Sequence, residues 1–265
     1  MNTKNDYTIQ SVEKALKVLQ VFNSDNYNDS KSLTLMEICE ETGINASTAM
    51  RILYTLNKNG FVAFDSNTKQ YSLDIALYRL GMSMYNSIDV HNVAQQHMKP
   101  LADETGLVVY LAKVDYVNDE IVVIDKVFPN TANTWPQMAA RAGYILPLHS
   151  SGIGRLYLAE HTDDEIRAIL AKKQLTKFTD KTLTDVEQIL KVIAEIRKTG
   201  VAYSNCENEE YIGSICAPIK DYEGKMVAGI SLGGIKNIIY GKNKDKNQKA
   251  LLKVAKQISV DLGYR

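Results

Sequence analysis

The chain has 265 residues, 45% of them hydrophobic, and its 31 Lys and Arg balance 31 Asp and Glu. That length is long for one domain and comfortable for two, and the zero net charge excludes a global basic field that would draw the chain onto DNA or an anionic membrane. No apolar run approaches the roughly 20 residues that span a bilayer. Met1 to Gln10 is polar, contains Asp6, and has neither a basic n-region nor an apolar h-region, so no secretory signal is expected there. Cys39, Cys206 and Cys216 are odd in number and form no CxxC pair, which predicts a reduced, cytoplasmic chain without a disulfide framework.

Val12, Ala15, Leu16, Leu19 and Phe22 recur with helical spacing and predict a helix from about Ser11 with one apolar stripe. Asn23 to Ser32 is rich in Asn, Asp and Ser and reads as a loop. Thr34 with Glu37 matches a capping box, in which the hydroxyl accepts an orphan amide and the carboxylate reaches back. Ile38 and Cys39 would face inward from the helix it opens. Gly43 suits a tight turn with positive φ, and Asn45 is the expected cap of a helix over Ala46 to Lys58. That helix would turn Ala49, Ile52, Leu53 and Leu56 inward, and Ser47, Thr48, Met50, Arg51 and Tyr54 outward. Two short helices across a Gly-containing turn make a helix-turn-helix, the second placed for the major groove. Gly60 ends it. Phe61 to Phe64 and Gln70 to Leu73 are strand-like about a polar turn, Asp65 to Lys69, which gives the helix, helix, helix, hairpin order of a winged helix. Lys69 at the wing tip would meet a phosphate. From Met1 to Ile75 the chain carries seven basic and nine acidic residues, but Thr42 to Phe64 contains Arg51 and Lys58 and no acid before Asp65. The face expected to meet DNA is therefore locally positive, with weak non-specific affinity and reliance on dimerisation. A winged helix that binds protein is the alternative at this point.

Ile75 to Tyr85 reads as a connecting helix and a possible dimer contact. Asp89 would cap the next helix, which Pro100 interrupts and Gly106 ends. Leu107 to Ala112 and Glu120 to Val127 predict a hairpin, Gly143 to Leu148 a short strand, and Gly152 to Glu160 a helix. Thr162 with Glu165 and Thr184 with Glu187 are two further capping boxes. Ile215 to Ile219 and Met226 to Leu232 form a second hairpin about Asp221 to Gly224, and Leu251, Ala255, Ile258 and Leu262 mark a C-terminal helix. Hairpins with flanking helices predict an antiparallel α+β domain. The expected division is residues 1–74 for the winged helix, 75–88 for the linker helix and 89–265 for the second domain.

No catalytic constellation is present in the pattern. His91, His97, His149 and His161 have no i, i+4 partner and no HExxH, so neither a metal nor a cofactor is expected. His149 to Gly152 is not a nucleophile elbow, and the chain is not expected to be an enzyme. Pro147 to Arg155 combines a strand end with small residues opening a helix, whose free amides would hold a carboxylate. Close packing with a structural His149 accounts for the same residues equally well. Cys206 and Cys216, ten residues apart, admit a redox switch or two ordinary thiols.

These segments together resemble the IclR family of bacterial regulators along nearly the whole chain. The resemblance rests on Ser11 to Leu16, Leu33-Thr34-Leu35, Gly43-Ile44, Ser47 to Leu53, Gly60-Phe61-Val62 and Tyr71-Ser72-Leu73 in the first part. In the second it rests on Pro147-Leu148-His149, Gly154-Arg155, Gly200-Val201-Ala202, Ala217-Pro218-Ile219 and Gly224 to Leu232. It implies a winged helix, a linker helix and a GAF-like effector domain, acting as a dimer or tetramer on operator DNA and tuned by a small metabolite. DNA contacts would then fall to Ser47, Thr48, Arg51, Tyr54 and Lys58, with Lys69 on the wing. The effector would meet Trp135 and Met138, the amides of Gly152 and Ile153, and Ser204, Ser214, Ser231 and Gly233. The chain departs from the family where Ser204-Asn205-Cys206-Glu207 stands in a usually acidic stretch, where Tyr211 takes a Gly position, and where Ser214 takes a frequent Cys position. A pocket of Ser, Asn and Trp points to an organic or sugar acid. The rival readings are a redox regulator using Cys206 and Cys216, and a protein-binding adaptor.

Overall fold

A computed structural model of the chain describes residues 8–23, 31–85, 89–130 and 140–265. The backbone falls into two compact units, Met1–Ser87 and Ile88–Arg265.

The first unit runs α1 (Gln10–Gln20), β1 (Leu33–Thr34), α2 (Leu35–Thr42), α3 (Ala46–Lys58), β2 (Val62–Asp65), β3 (Gln70–Leu73) and α4 (Ile75–Tyr85). Local signals set most of these boundaries. The Thr34 hydroxyl accepts the Glu37 N–H, and the Glu37 carboxylate accepts the Thr34 N–H at 2.7 Å, so the capping box forms. Gly43, at φ 69°, closes α2 by donating its N–H to the Cys39 carbonyl. Asn45 Oδ1 accepts the Thr48 N–H at 3.0 Å and opens α3. β1, too short for any periodicity, adds to the wing hairpin as an antiparallel sheet in the order β1-β3-β2. Val18, Phe22, Leu33, Ile38, Ile44, Ala49, Leu53 and Val62 form the core, and Cys39, Ile52 and Leu56 pack partly buried against it.

The stripe expected on α1 needs correction. Val12 and Leu16 are 51% and 54% exposed, while Val18, outside that stripe, is fully buried. At 100° per residue, Ala15, Val18, Leu19 and Phe22 share a face rotated away from Leu16. The small core over α2 and α3 accommodates only that face.

The second unit runs α5 (Asp89–Thr105), β4 (Val108–Asp115), β5 (Glu120–Val127), β6 (Ile145–Leu146), α6 (Gly152–Ala159), α7 (Asp163–Leu170) and α8 (Val186–Thr199). It continues with β7 (Ala202–Asn205), β8 (Ile212–Lys220), β9 (Met226–Ile235), α9 (Lys236–Ile239) and α10 (Lys244–Asp261). Among the described residues the strands form one antiparallel sheet in the order β6-β5-β4-β9-β8-β7. One face, carrying Val108, Tyr110, Ala112, Ala202 and Cys216, is buried under α6, α7 and α8. α5 and α10 pack on each other and against the strands from the other side. Two expectations fail here. Pro100 lies inside α5 without interrupting it; burial of Met98, Leu101 and Ala102 offsets its missing hydrogen bond. Thr184 does not cap α8: Asp185, one residue on, accepts the Gln188 N–H at 2.8 Å.

Candidate functional site

Two surfaces gather the residues that the sequence singles out. The first is the outer face of α3. Ser47, Arg51, Tyr54 and Lys58 recur at intervals of four, three and four, which lines them along one helical stripe. All four are exposed, Tyr54 at 72%. Thr48 is half-buried; its N–H donates to Asn45 Oδ1, and the Ser47 hydroxyl donates to the same atom at 3.0 Å. Lys69 is exposed on the β2–β3 turn at φ 58°, in the left-handed region. Asp65 braces that turn by accepting the Asn67 N–H at 2.8 Å, which holds its carboxyl below the usual range.

The second surface is a cavity of about 90 Å³ between the sheet and the start of α6. Against 10–15 Å³ for one water, that is room for roughly six waters, the scale of a small metabolite. Of the effector residues expected from the resemblance, Gly152, Ile153, Ser204, Ser214, Ser231 and Gly233 all line it. Trp135 and Met138 lie outside the described residues. Tyr110, Asn208, Glu209 and Cys216 also line it and were not expected. Strand register is the signal that finds Tyr110 and Cys216: Tyr110 pairs with Ser231 and Ser231 with Cys216, so the three side chains stand in one row. Asn208 and Glu209 sit on the loop between β7 and β8, where sequence periodicity has nothing to offer.

At the cavity's edge α6 approaches the sheet closely over glycine. A Cβ on Gly152 would lie 2.4 Å from Cys216 Sγ, and a Cβ on Gly229 would lie 2.4 Å from the Ile153 side chain. Ser151 caps α6, its hydroxyl accepting the Gly154 N–H at 3.0 Å. The Cys216 thiol lies against the start of α6, and burial pushes that thiol up to about 11. Sulfur is a weak acceptor, so this helix terminus retains positive potential toward the cavity.

A buried network fixes the loop that closes the cavity. Arg155 on α6 is 1% exposed. Its guanidinium donates to the His149 carbonyl and to Glu207 Oε1, both at 2.8 Å, and to Glu207 Oε2. The Thr179 hydroxyl donates to the Cys206 carbonyl at 2.7 Å and the Thr182 hydroxyl to the Glu207 carbonyl at 2.5 Å. Ser150 donates to Asn208, and the Ser204 hydroxyl donates to the Ser150 carbonyl at 2.9 Å. His149 is buried, donates through Nε2 to the Thr176 carbonyl at 3.0 Å and stacks on Phe178. Burial lowers its pKa, which favours the neutral ring. It is held as a structural residue and does not line the cavity. Among the described residues no cluster of His, Cys, Asp and Glu could hold a metal, and no helix is long and apolar enough to cross a membrane.

Residues 11–66 match the model of the IclR helix-turn-helix domain, and residues 82–260 match that of the C-terminal domain of bacterial transcriptional regulator IclR. The HTH-type transcriptional regulator KdgR of Escherichia coli strain K12 is 28% identical over 264 residues, 99% of this chain and 97% of that protein. An IclR transcriptional regulator from Alicyclobacillus acidocaldarius, known as a crystal structure, is 26% identical with a TM-score of 0.81 over 96% of this chain and 99% of its own. The fold is shared by an IclR homologue from Microbacterium hydrocarbonoxydans complexed with 4-hydroxybenzoate, at 21% identity and a TM-score of 0.76 over 95% and 98% of the two chains. The characterised relatives are regulators rather than enzymes. With a helix-turn-helix in the first unit and the family's effector-binding domain in the second, this chain belongs to the IclR family of DNA-binding bacterial transcriptional regulators.

Proposed function

We propose that the protein binds operator DNA through Ser47, Thr48, Arg51, Tyr54 and Lys58 of α3, with Lys69 on the wing, and that a small organic acid in the α6 cavity sets its affinity. The observation that carries this reading is the convergence of Ser151, Gly152 and Ile153 at the start of α6 with Ser204, Ser214 and Ser231 on one cavity. A carboxylate there accepts from the helix N-terminus, and the Ser214 and Ser231 hydroxyls satisfy further oxygens. The Microbacterium hydrocarbonoxydans homologue, which carries the hydroxylated acid 4-hydroxybenzoate, supports the ligand class. The chain acts in the cytoplasm as a dimer or tetramer, reading half-sites about one helical turn or a multiple apart. The effector binds one pose of the effector domains better than another, and residues 75–88 pass that preference to the spacing of the recognition helices.

The redox alternative is disfavoured by chemistry, because a thiol buried and raised to about 11 is a poor nucleophile at neutral pH. Capture of genomic fragments by the purified protein, wild type against Arg51→Ala, tests the DNA reading. Discrete sites lost in the variant support it, since a base- or phosphate-contacting Arg is worth about 1–3 kcal/mol. Capture of no DNA by the wild type, with or without small metabolites, moves the protein-binding adaptor to the front.

A further inference from the structure

The charges of the chain cancel overall but not along its length. Residues 236–265 carry seven lysines and Arg265 against two acids, Asp245 and Asp261. α10 gathers much of that charge on one face. Its Asn247, Leu251, Ala255, Ile258 and Ser259 are buried, where the helix packs on α5, β8 and β9. Lys246, Lys249, Lys253 and Lys256 recur at intervals of three, four and three, so at 100° per residue they form one stripe opposite that buried face. All four are exposed. At 1.5 Å per residue the stripe is about 15 Å long.

This stripe works against the helix that carries it, because like charges three and four residues apart repel. Acids elsewhere relieve such charge: Lys31, Lys99, Lys173, Lys177, Lys198 and Lys220 each hold an ion pair. Among the described residues the four lysines of the stripe hold none, Asp245 included. Asp261 is taken by His97 and Gln257. A local rule broken without compensation points to function.

We infer that the face of α10 bearing Lys246, Lys249, Lys253 and Lys256 is a second DNA-binding surface, which takes the phosphate backbone of duplex DNA without regard to sequence. It is independent of the effector reading and of the residues proposed on α3. Charge complementarity and residue type together select the partner. A protein interface favours aromatic side chains, Met and Arg at its centre and is depleted in lysine. A lysine ammonium is instead a compact point charge on a flexible stem, and a row of them matches a row of phosphates. Duplex DNA presents such a row, about one negative charge per 1.7 Å of its axis, and it is the polyanion that a helix-turn-helix regulator meets. Contacts of this kind add affinity and carry no sequence information.

The salt dependence of binding to a random-sequence duplex, several helical turns long, tests this with the full-length protein. Each lysine that neutralises a phosphate adds about 0.9 to the slope of log affinity against log salt. Combining Lys249→Gln, Lys253→Gln and Lys256→Gln should therefore reduce that slope by about 2–3, so that between about 50 and 200 mM salt the variant loses roughly 40-fold less affinity than the wild type. Replacing the same three lysines with Arg keeps the charge and should keep the wild-type slope. Lys172→Gln, Lys181→Gln and Lys191→Gln together remove equal charge from exposed positions around α7 and α8, on the other face of the sheet, and should leave the slope as it is. The reduction should persist when Arg51→Ala is added, which separates this surface from α3. An unchanged slope in the α10 Gln variant overturns the inference and leaves the stripe to an acidic protein partner or to solvent. An equal reduction in the α7 and α8 variant also overturns it, since net charge alone would then account for the effect.

Discussion

Replacing Arg155 with Met removes three donated hydrogen bonds, two to Glu207 and one to the His149 carbonyl. It leaves the Glu207 carboxylate, on a residue 8% exposed, without its cation. Breaking a buried pair from one side costs about 3–5 kcal/mol, because the surviving charge keeps its desolvation penalty. At roughly 2–4 °C per kcal/mol for a protein of this size, the melting temperature should fall by about 6–20 °C. Removing both charges, in Arg155→Met with Glu207→Met, eliminates that penalty and leaves chiefly the His149 carbonyl unpaired, at about 1–3 kcal/mol. The double variant should therefore be more stable than Arg155→Met alone, and a thermal-melting double-mutant cycle reads the difference. Additive losses would refute the reasoning, since they would mean that the two side chains contribute independently and the pair does not hold the loop.

Three further outcomes follow from local geometry. Gly152→Ala places a Cβ 2.4 Å from Cys216 Sγ and should destabilise by about 1–3 kcal/mol through overpacking; adding Cys216→Ala removes the sulfur and should restore part of the loss in a chemical-denaturation curve. Thr34→Ala deletes the capping box of α2 and should cost about 1 kcal/mol, seen as a lower denaturant midpoint for the first unit. Because burial raises the Cys216 thiol from its ordinary value of 9.0 to about 11, the folded state keeps its proton where the unfolded state has lost it. Unfolding free energy should fall as pH rises from 9 to 11, less steeply in Cys216→Ala, and Cys216 should resist alkylation at pH 8.

How much was legible in the sequence depended on how local the cause was. The bounds of α3 follow from the Asn45 cap and the 3-1-3 spacing of Ala49, Ile52, Leu53 and Leu56, and Gly43 and Gly106 end helices with the positive φ that only glycine adopts freely. Where two neighbouring residues offer the same signal, the pattern misleads. Thr184 and Asp185 are both good caps, and the start of α8 decides between them. On α1 the stripe through Leu16 and the one through Val18 are equally helical, and only contact with α2 and α3 selects the second. The residues that the resemblance proposes for an effector share one cavity because strand register and the start of α6 bring them there, while Trp135 and Met138 lie outside the described residues. Arg155 and Glu207 are 52 residues apart. Their juxtaposition arises from topology and register, which no local spacing encodes.

Coupling between a small acid in the α6 cavity and the DNA affinity of α3 lies at the heart of the proposed function. Its most direct test is anisotropy titration of a captured operator fragment with and without the low-molecular-mass fraction of a cell extract, using wild type and Ser231→Ala. The wild type should shift by about 5–150-fold in operator affinity, the usual range of coupling between two sites, and Ser231→Ala by much less. Equal shifts in both proteins, or operator affinity indifferent to every fraction, would contradict it.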